Sequence, residues 1–383
     1  MANVLVEGWR FLPHSYSLVN QFQCLEMLQR QSVTLYHRDA PLAHPDWRQT
    51  RGIFAAEAEQ SLAAISPPPP GQQLDATFRI AFPYDMRPSS ASRTAVFATV
   101  QSALRPNYFV GAVSVREAMQ QSDALIVTPS NWSRDRLIES GVASSRIAVV
   151  PHGIDPAIFH PPSPPARESI RRKAGCEHDF VFLHIGAMTA NKNIGLLLRA
   201  FAAVVARHPR ARLALKGIDP LFGSANLLKE AAKELTEAQI ALVQPRLGYW
   251  GGVWPMARMA ELNQSADVYV SPYNAEGFNL PALEAAACGL PLICTAGGPT
   301  DEFTNDNFRL KIESTTEATP DAQPGRLLVP NFDSLFAHMC RVLEDQSFTQ
   351  QARAAGPEYV ASRFTWRLVV DQLLATLTGS GSG

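Results

Sequence analysis

Residues Asp267 to Thr300 read DVYVSPYNAEGFNLPALEAAACGLPLICTAGGPT, and this stretch decides the fold. Asp267 to Pro272 has strand character, Ala275 to Leu280 is a polar-tipped loop, and Pro281 followed by ALEAAAC predicts a short helix that stops at Gly289. Proline suits the first helical position because its missing N–H is not needed there, and glycine after the last turn takes the left-handed cap. The N–H groups from Phe278 to Leu283, Pro281 excepted, are then expected to converge at the positive end of the helix dipole. That point attracts a phosphate.

Two carboxylates flank the donor cluster. Glu276 precedes the helix and Glu284 falls within its expected first turn. Acids placed there repel a phosphate but accept hydrogen bonds from sugar hydroxyls on either side of it, and a nucleotide-sugar has that order of ribose, diphosphate and hexose. The plainer reading is a surface Glu and a helix-start Glu that complements the dipole.

The run EGFNLPALEAAACGLP resembles the Glu-x7-Glu signature of the family 4 retaining glycosyltransferases, with the small-residue helix, Cys-Gly and Pro that follow it. The resemblance implies an α/β fold of the GT-B type: two Rossmann-like domains facing a central cleft, with a C-terminal helix crossing back to the first domain. It covers most of residues 122 to 377, is densest at 126–160 and 266–300, and is thin between 33 and 110.

The length of 383 residues exceeds what one core usually holds, so two domains are expected. The resemblance sets them at 1–165 (acceptor side, plus a returning helix 358–377) and 170–357 (nucleotide-sugar side). A net charge of −1 gives no general electrostatic reason for nucleic acid as a partner. Cys24, Cys176, Cys288, Cys294 and Cys340 are scattered and odd in number, without a CxxC pair, and read as small buried hydrophobes of a reducing cytoplasm. No run approaches the length of a spanning helix. The expected location is the cytoplasm, with peripheral attachment at the inner membrane face allowed. The C-terminal GSGSG is left out of the fold reasoning.

Asn3 to Glu7 reads as a strand, followed by the loop GWRFLPHSYS and a helical pattern from about Leu18 to Gln29. This Rossmann-like beginning lacks the G-x-G-x-x-G of a dinucleotide fingerprint. In the resembling family the first loop lies under the donor phosphates and near the acceptor. On that analogy Gly8 allows close backbone approach, and His14 and Ser15 reach the ligands; a His and Ser that merely cap the helix fit equally. VTLYHRD, FRIAF and AVFATV read as further strands. The family often has a His near the reacting carbon in this region, but none occurs between His44 and His152, which leaves Thr99, Gln101 and Asp85 as polar candidates without a role.

From Ser122 the chain reads as strand (ALIVT), serine-capped helix, glycine stop, strand (RIAVV) and the turn PHGID, which resembles the end of the family's first domain. PPSPPARES, 161–169, is expected to be a semi-rigid linker. Beyond it, DFVFLHIGAMTANKN reads as strand and loop, and similar enzymes have a lysine at Lys192 that grips the donor diphosphate. Where they commonly have an arginine, this chain has Ala187. Lys216, at the end of the strand ARLALKG, is expected to supply the missing charge, because a strand's carboxyl end faces the crevice where α/β sheets bind ligands. IALVQ reads as a weak strand and RLGYWGGVWPM as a loop that borders the nucleobase pocket in the family, with Tyr249 and Trp250 either stacking on the base or packing. Residues 305–326 read as an exposed connection, and NFDSLFAHMCRVLED and SRFTWRLVVDQLLATL as helices.

The resemblance implies a retaining glycosyltransferase of polysaccharide biosynthesis type, moving a hexose from a nucleotide-sugar to a glycan, lipid-linked or other hydroxyl acceptor. UDP and glucose are the choices by family frequency. Glu284 would take the ribose hydroxyls, Glu276 the hexose, and the N–H groups of Gly277, Phe278, Asn279 and Leu280 the sugar and phosphates. The chain has no D-x-D pair and no His/Asp/Glu metal spacing, so no metal or other cofactor is expected. Lys192, Lys216 and the helix N-terminus would then neutralise the leaving diphosphate. The rival readings are a sugar-phosphorylase or epimerase of the same architecture, an NAD-dependent oxidoreductase, and a catalytically degenerate nucleotide-sugar-binding protein. The sequence does not specify the oligomeric state.

Overall fold

The computed structural model describes residues 1–319 and 325–379. By its internal contacts the chain forms two units, one of Met1–Gly153, Ala318–Arg326 and Phe364–Gly383, the other of Ile154–Glu317 and Leu327–Arg363. The divisions therefore fall at 153/154 and 363/364 rather than at the expected 165–170 and 357/358. The reason lies in PPSPPARES, which is no linker. Ser163 caps a helix, Pro164–Lys173, whose prolines occupy the first turn, where a missing N–H is tolerated. Arg167 and Arg171 of that helix hold Asp267 at 2.6 and 2.9 Å and so anchor it in the second unit.

In the first unit six parallel strands, β1 (Ala2–Gly8), β2 (Val33–Asp39), β3 (Ala76–Ile80), β4 (Arg93–Phe97), β5 (Leu125–Thr128) and β6 (Ile147–Val149), lie in the order β2-β1-β3-β4-β5-β6. Helix Ser15–Leu28 and the last helix, Trp366–Thr378, pack together through Phe22 and Trp366, stacked 5.3 Å apart. Gly153 of the PHGID turn permits this contact, since a Cβ there would lie 2.6 Å from the Trp366 backbone nitrogen. The returning segment thus begins at Phe364, and Thr365 caps its helix.

The second unit repeats the theme with β7 (Phe180–Ile185), β8 (Ala211–Lys216), β9 (Leu247–Trp250), β10 (Val268–Ser271), β11 (Leu292–Thr295) and β12 (Arg309–Ile312). These also pair in parallel, in the order β12-β11-β10-β7-β8-β9. A sheet covered by helices on both faces asks for continuous apolar strands, and FVFLHI, VYVS and LICT supply them. Strand order reverses between β7 and β10. At such a switch point the loops leaving neighbouring carboxyl ends diverge to opposite faces and open a crevice for ligand.

Three readings of the sequence change. IALVQ belongs to a helix, Glu237–Val243, because Thr236 and Gln239 form a reciprocal capping box that starts it. The strand is LGYW, expected as a loop, which pairs with β8 at the sheet edge. Residues 305–326 are not one exposed connection: they contain β12 and the strand Ser314–Ala318, which pairs with Arg326–Pro330. The 320–324 part of that segment and most of the GSGSG tail lie outside the described residues.

Candidate functional site

The two loops at the β7/β10 switch point are stitched to each other. After Gly186 the chain makes a short 3-10 turn, Ala190–Lys192, and Asn193 enters the helix Ile194–Arg207 in the left-handed region, with φ of 55°. Asn191 Oδ1 accepts from the Thr189 hydroxyl at 2.6 Å, its Nδ2 donates to the Ala275 carbonyl at 2.9 Å, and its own carbonyl accepts from the Asn274 amide at 2.8 Å. These bonds bring together the two residues singled out on either loop. The Lys192 ammonium forms an ion pair with the Glu276 carboxylate, whose residue is 4% exposed.

The helix that follows is Leu280–Ala287, with Pro281 in its first turn, Asn279 as N-cap at φ 79° and Gly289 left-handed beyond its end. Phe278 stacks on Phe303 at 4.7 Å. Of the expected amide cluster, the Ala282 N–H is taken by the Asn279 carbonyl. Because the helix starts at Leu280, Glu284 lies beyond the first turn and does not serve as a dipole-complementing acid. It is 7% exposed and makes no side-chain hydrogen bond or ion pair among the described residues; burial pushes its carboxyl up to about 8. A buried acid without a partner is costly unless it stays protonated or a ligand completes it.

Along the same carboxyl edge, β8 and β9 bring Lys216 opposite Trp250. Lys216 is buried, and its ammonium donates to the carbonyls of Gly217 at 2.5 Å and Gly252 at 2.7 Å. It also lies 5.2 Å from the centroid of the Trp254 ring, against which Arg258 packs at 3.8 Å. Burial is the main reason its pKa falls to about 8. An ammonium engaged by two carbonyls and an indole face is a clamp on the 251–254 loop; its contacts do not support the expected role as second diphosphate cation. Tyr249 donates its hydroxyl to Asp219 Oδ1 at 2.6 Å, and burial with that carboxylate raises its pKa. Trp250, 39% exposed, is 5.9 Å from Trp254.

The sequence reasoning passed over His184, although a histidine inside the apolar strand FVFLHI was the available signal. It is wholly buried, its ring stacks over Tyr269, and Nδ1 donates to the Val270 carbonyl at 2.8 Å, which leaves Nε2 unpartnered. Burial first, and then the Lys192 charge, depress its pKa to about 4, so it is neutral at physiological pH. A Cβ added at Gly186 would lie 3.1 Å from this Nε2 and 3.3 Å from Lys192 Cε. Gly186 thus sits in close quarters where lysine and histidine converge.

Of the first-unit candidates, Gly8, His14 and Asp85 make contacts within that unit. A Cβ at Gly8 would stand 2.7 Å from Ile80 Cγ2 and 2.9 Å from both the Ile80 carbonyl oxygen and Asn20 Nδ2, so this glycine serves packing within the sheet. His14 is the N-cap of Ser15–Leu28, accepting from the Tyr16 amide through Nδ1 at 3.1 Å. It sits among Trp9, Tyr16 and Trp47, and burial lowers its pKa to about 4. Ser15 is exposed at the helix start. Asp85 is bonded to Arg87 at 2.7 Å, and Gln101 is exposed.

Among the described residues no group of three or more His, Cys, Asp or Glu is placed to hold a metal, and no helix is long and apolar enough to cross a membrane. The profile of the family "Glycosyl transferases group 1" matches residues 166–358, which is half of the chain and contains Lys192, Lys216, Glu276 and Glu284. The chain belongs to this family. Among curated relatives, the chain is 27% identical over 268 residues to D-inositol 3-phosphate glycosyltransferase of Nocardiopsis dassonvillei, covering 67% of this chain and 56% of that one. It is 28% identical over 277 residues to the protein of the same name from Stackebrandtia nassauensis, with 70% and 57% covered. The chain thus spans little more than half the length of these relatives.

Solved structures place the fold as GT-B. HepE from Anabaena, crystallised with UDP and glucose, superposes with a TM-score of 0.71 at 17% identity, over 99% of this chain and 100% of HepE. Sucrose-phosphate synthase from Thermosynechococcus elongatus gives 0.66 at 16% identity, with 100% of both chains covered.

Proposed function

We propose that this protein is a retaining, metal-independent glycosyltransferase that moves a hexose from a UDP-sugar, with glucose as the sugar, to a hydroxyl acceptor on a glycan or lipid-linked sugar. The observation that carries the reading is the arrangement at the β7/β10 crevice. Lys192 is paired with Glu276, and the buried, unpartnered carboxyl of Glu284 lies in the helix that follows. A diphosphate satisfies the lysine and the Leu280 N–H at the start of Leu280–Ala287, ribose hydroxyls satisfy Glu284, and hexose hydroxyls satisfy Glu276. Relatives named for glycosyl transfer, and HepE structures holding UDP-glucose, support the same donor class.

In this mechanism Lys192 and the helix N-terminus stabilise the charge that develops on the diphosphate as the anomeric C–O bond breaks. Glu276 orients the hexose. A donor phosphate oxygen takes the proton from the attacking hydroxyl on the face the leaving group vacates, which retains the anomeric configuration.

Ala187, where a second phosphate cation would stand, and the sequestered Lys216 favour one other reading, a nucleotide-sugar-binding protein without turnover. Incubation with UDP-glucose and a panel of sugar, glycolipid and inositol acceptors separates the two. Acceptor-dependent release of UDP supports transfer; tight UDP-glucose binding with no UDP released across the panel overturns it.

A further inference from the structure

Three of the four non-glycine residues with positive φ among the described chain, Met188, Asn193 and Asn279, lie in the two crevice loops. Glycine would adopt the backbone of Asn279 without strain, so an amide side chain there has a further task. The residue is 5% exposed; its Nδ2 donates to Ser271 Oγ at 3.0 Å, and its Oδ1 lies 3.4 Å from the Tyr269 hydroxyl. Tyr269 is wholly buried, and the same hydroxyl lies 3.3 Å from the carbonyl of Ile185, the last residue of β7. One phenol therefore spans the strand that feeds the Lys192 loop and the residue that opens the helix of Glu284. Ser271, the last residue of β10, holds the other side of the amide.

From this geometry we propose that Asn279 is a positioning residue, whose side chain braces the 276–280 loop on Tyr269 and Ser271 and so holds Glu276 and the first helical amides in register with Lys192. The proposal rests on the reading of this crevice as the donor site. In the loop as braced, the groups that meet sugar and diphosphate are fixed before the ligand arrives, and binding does not have to order them.

The test uses the full chain and the variants Asn279→Gly, Tyr269→Phe and Ser271→Ala. Asn279→Gly keeps the left-handed backbone free of strain and removes the amide but also loosens residue 279 itself; Tyr269→Phe and Ser271→Ala leave residue 279 intact, so faster exchange over 276–283 in these two isolates the brace. Hydrogen exchange of the free proteins should show faster exchange over residues 276–283 in Asn279→Gly than in wild type, with the rest of the second unit unchanged. Titration calorimetry with UDP should show about tenfold weaker binding, equivalent to about 1.4 kcal/mol. Tyr269→Phe should fall in the same direction, and its effect should shrink in the Asn279→Gly background, where the contact between phenol and amide is already gone. Unchanged exchange over 276–283 overturns the brace whatever the ligand result. Faster exchange with undiminished UDP affinity overturns its bearing on the donor. Failure of the wild type to bind UDP or UDP-glucose removes the donor-site reading and this positioning role with it, while the exchange arm still reports whether the brace holds the loop.

Discussion

If Glu284 receives the ribose as a carboxylate, donor binding expels a proton. The carboxyl is held at about 8 by burial, against an ordinary value of 4.5, so at pH 7 about nine-tenths of the free protein carries it protonated. Ribose hydroxyls donate to an acid and stabilise its ionised form, which pulls the bound pKa down. Titration of UDP-glucose in buffers of different ionisation enthalpy should therefore report release of about 0.9 proton per ligand at pH 7. Near pH 9.5 the release should vanish, because the free carboxyl is already ionised. UDP-glucose serves better than UDP here, since a terminal phosphate titrates near pH 6 and adds its own proton. Glu284→Gln should bind more weakly, with no proton released.

The same shift has a stability consequence of definite sign. Below pH 4.5 the group is protonated folded and unfolded, and contributes no difference. Between 4.5 and about 8 the unfolded chain ionises freely while the folded one keeps its proton, so stability falls with rising pH, by roughly 5 kcal/mol in all. Above 8 the loss is complete. Glu284→Gln lacks it, so its melting temperature should rise relative to wild type as pH goes from 5 to 8. Wild-type binding of UDP-glucose without proton release at pH 7, together with equal melting of Glu284→Gln and wild type across this range, would refute the reasoning.

Other outcomes follow from particular contacts. Glu276 is buried and Lys192 is its half-buried partner, so Lys192→Met leaves a buried charge and should cost about 3–5 kcal/mol of stability as well as activity, Glu276→Gln less; the two changes together should recover the melting temperature while turnover of UDP-glucose stays at least a hundredfold down. Lys216→Met should raise the KM for UDP-glucose about tenfold with kcat nearly unchanged, because its ammonium clamps the Gly252 carbonyl; a large loss of kcat at constant KM would return Lys216 to the diphosphate. Gly8→Ala should lower the denaturation midpoint of the first unit, since its Cβ would press on Ile80 and Asn20; normal stability with lost donor binding would restore the ligand-facing role.

Much of the second unit was legible because local chemistry and tertiary context agree there. Pro281 and Gly289 bound the helix as read, the apolar runs FVFLHI and VYVS can only be buried strands, and NKN and EGFNLP mark the two loops that meet at the switch point. What escaped depends on partners distant in sequence. LGYW becomes a strand because β8 offers an edge, and nothing in its glycine and aromatics says so. Pro164–Lys173 docks as a helix because Arg167 and Arg171 find Asp267, 100 and 96 residues further along the chain. The ammonium of Lys216 turns to carbonyls that its position at a strand end does not reveal, and the pairing of Lys192 with Glu276 was invisible because each was assigned to ligand alone. His14 was readable either as cap or as ligand contact, and the bond from the Tyr16 amide shows the cap.

The central claim is that the β7/β10 crevice binds a nucleotide-sugar through Lys192, Glu276 and Glu284. The most direct measurement is a thermal-shift titration of the full chain with UDP-glucose and UDP, beside the Glu284→Ala variant. Ligand at 100 times its Kd should stabilise the wild type by about 2.7 kcal/mol, and the shift should fall sharply in the variant. No shift in wild type at millimolar UDP-glucose or any other nucleotide-sugar, or an equal shift in the variant, would contradict the account.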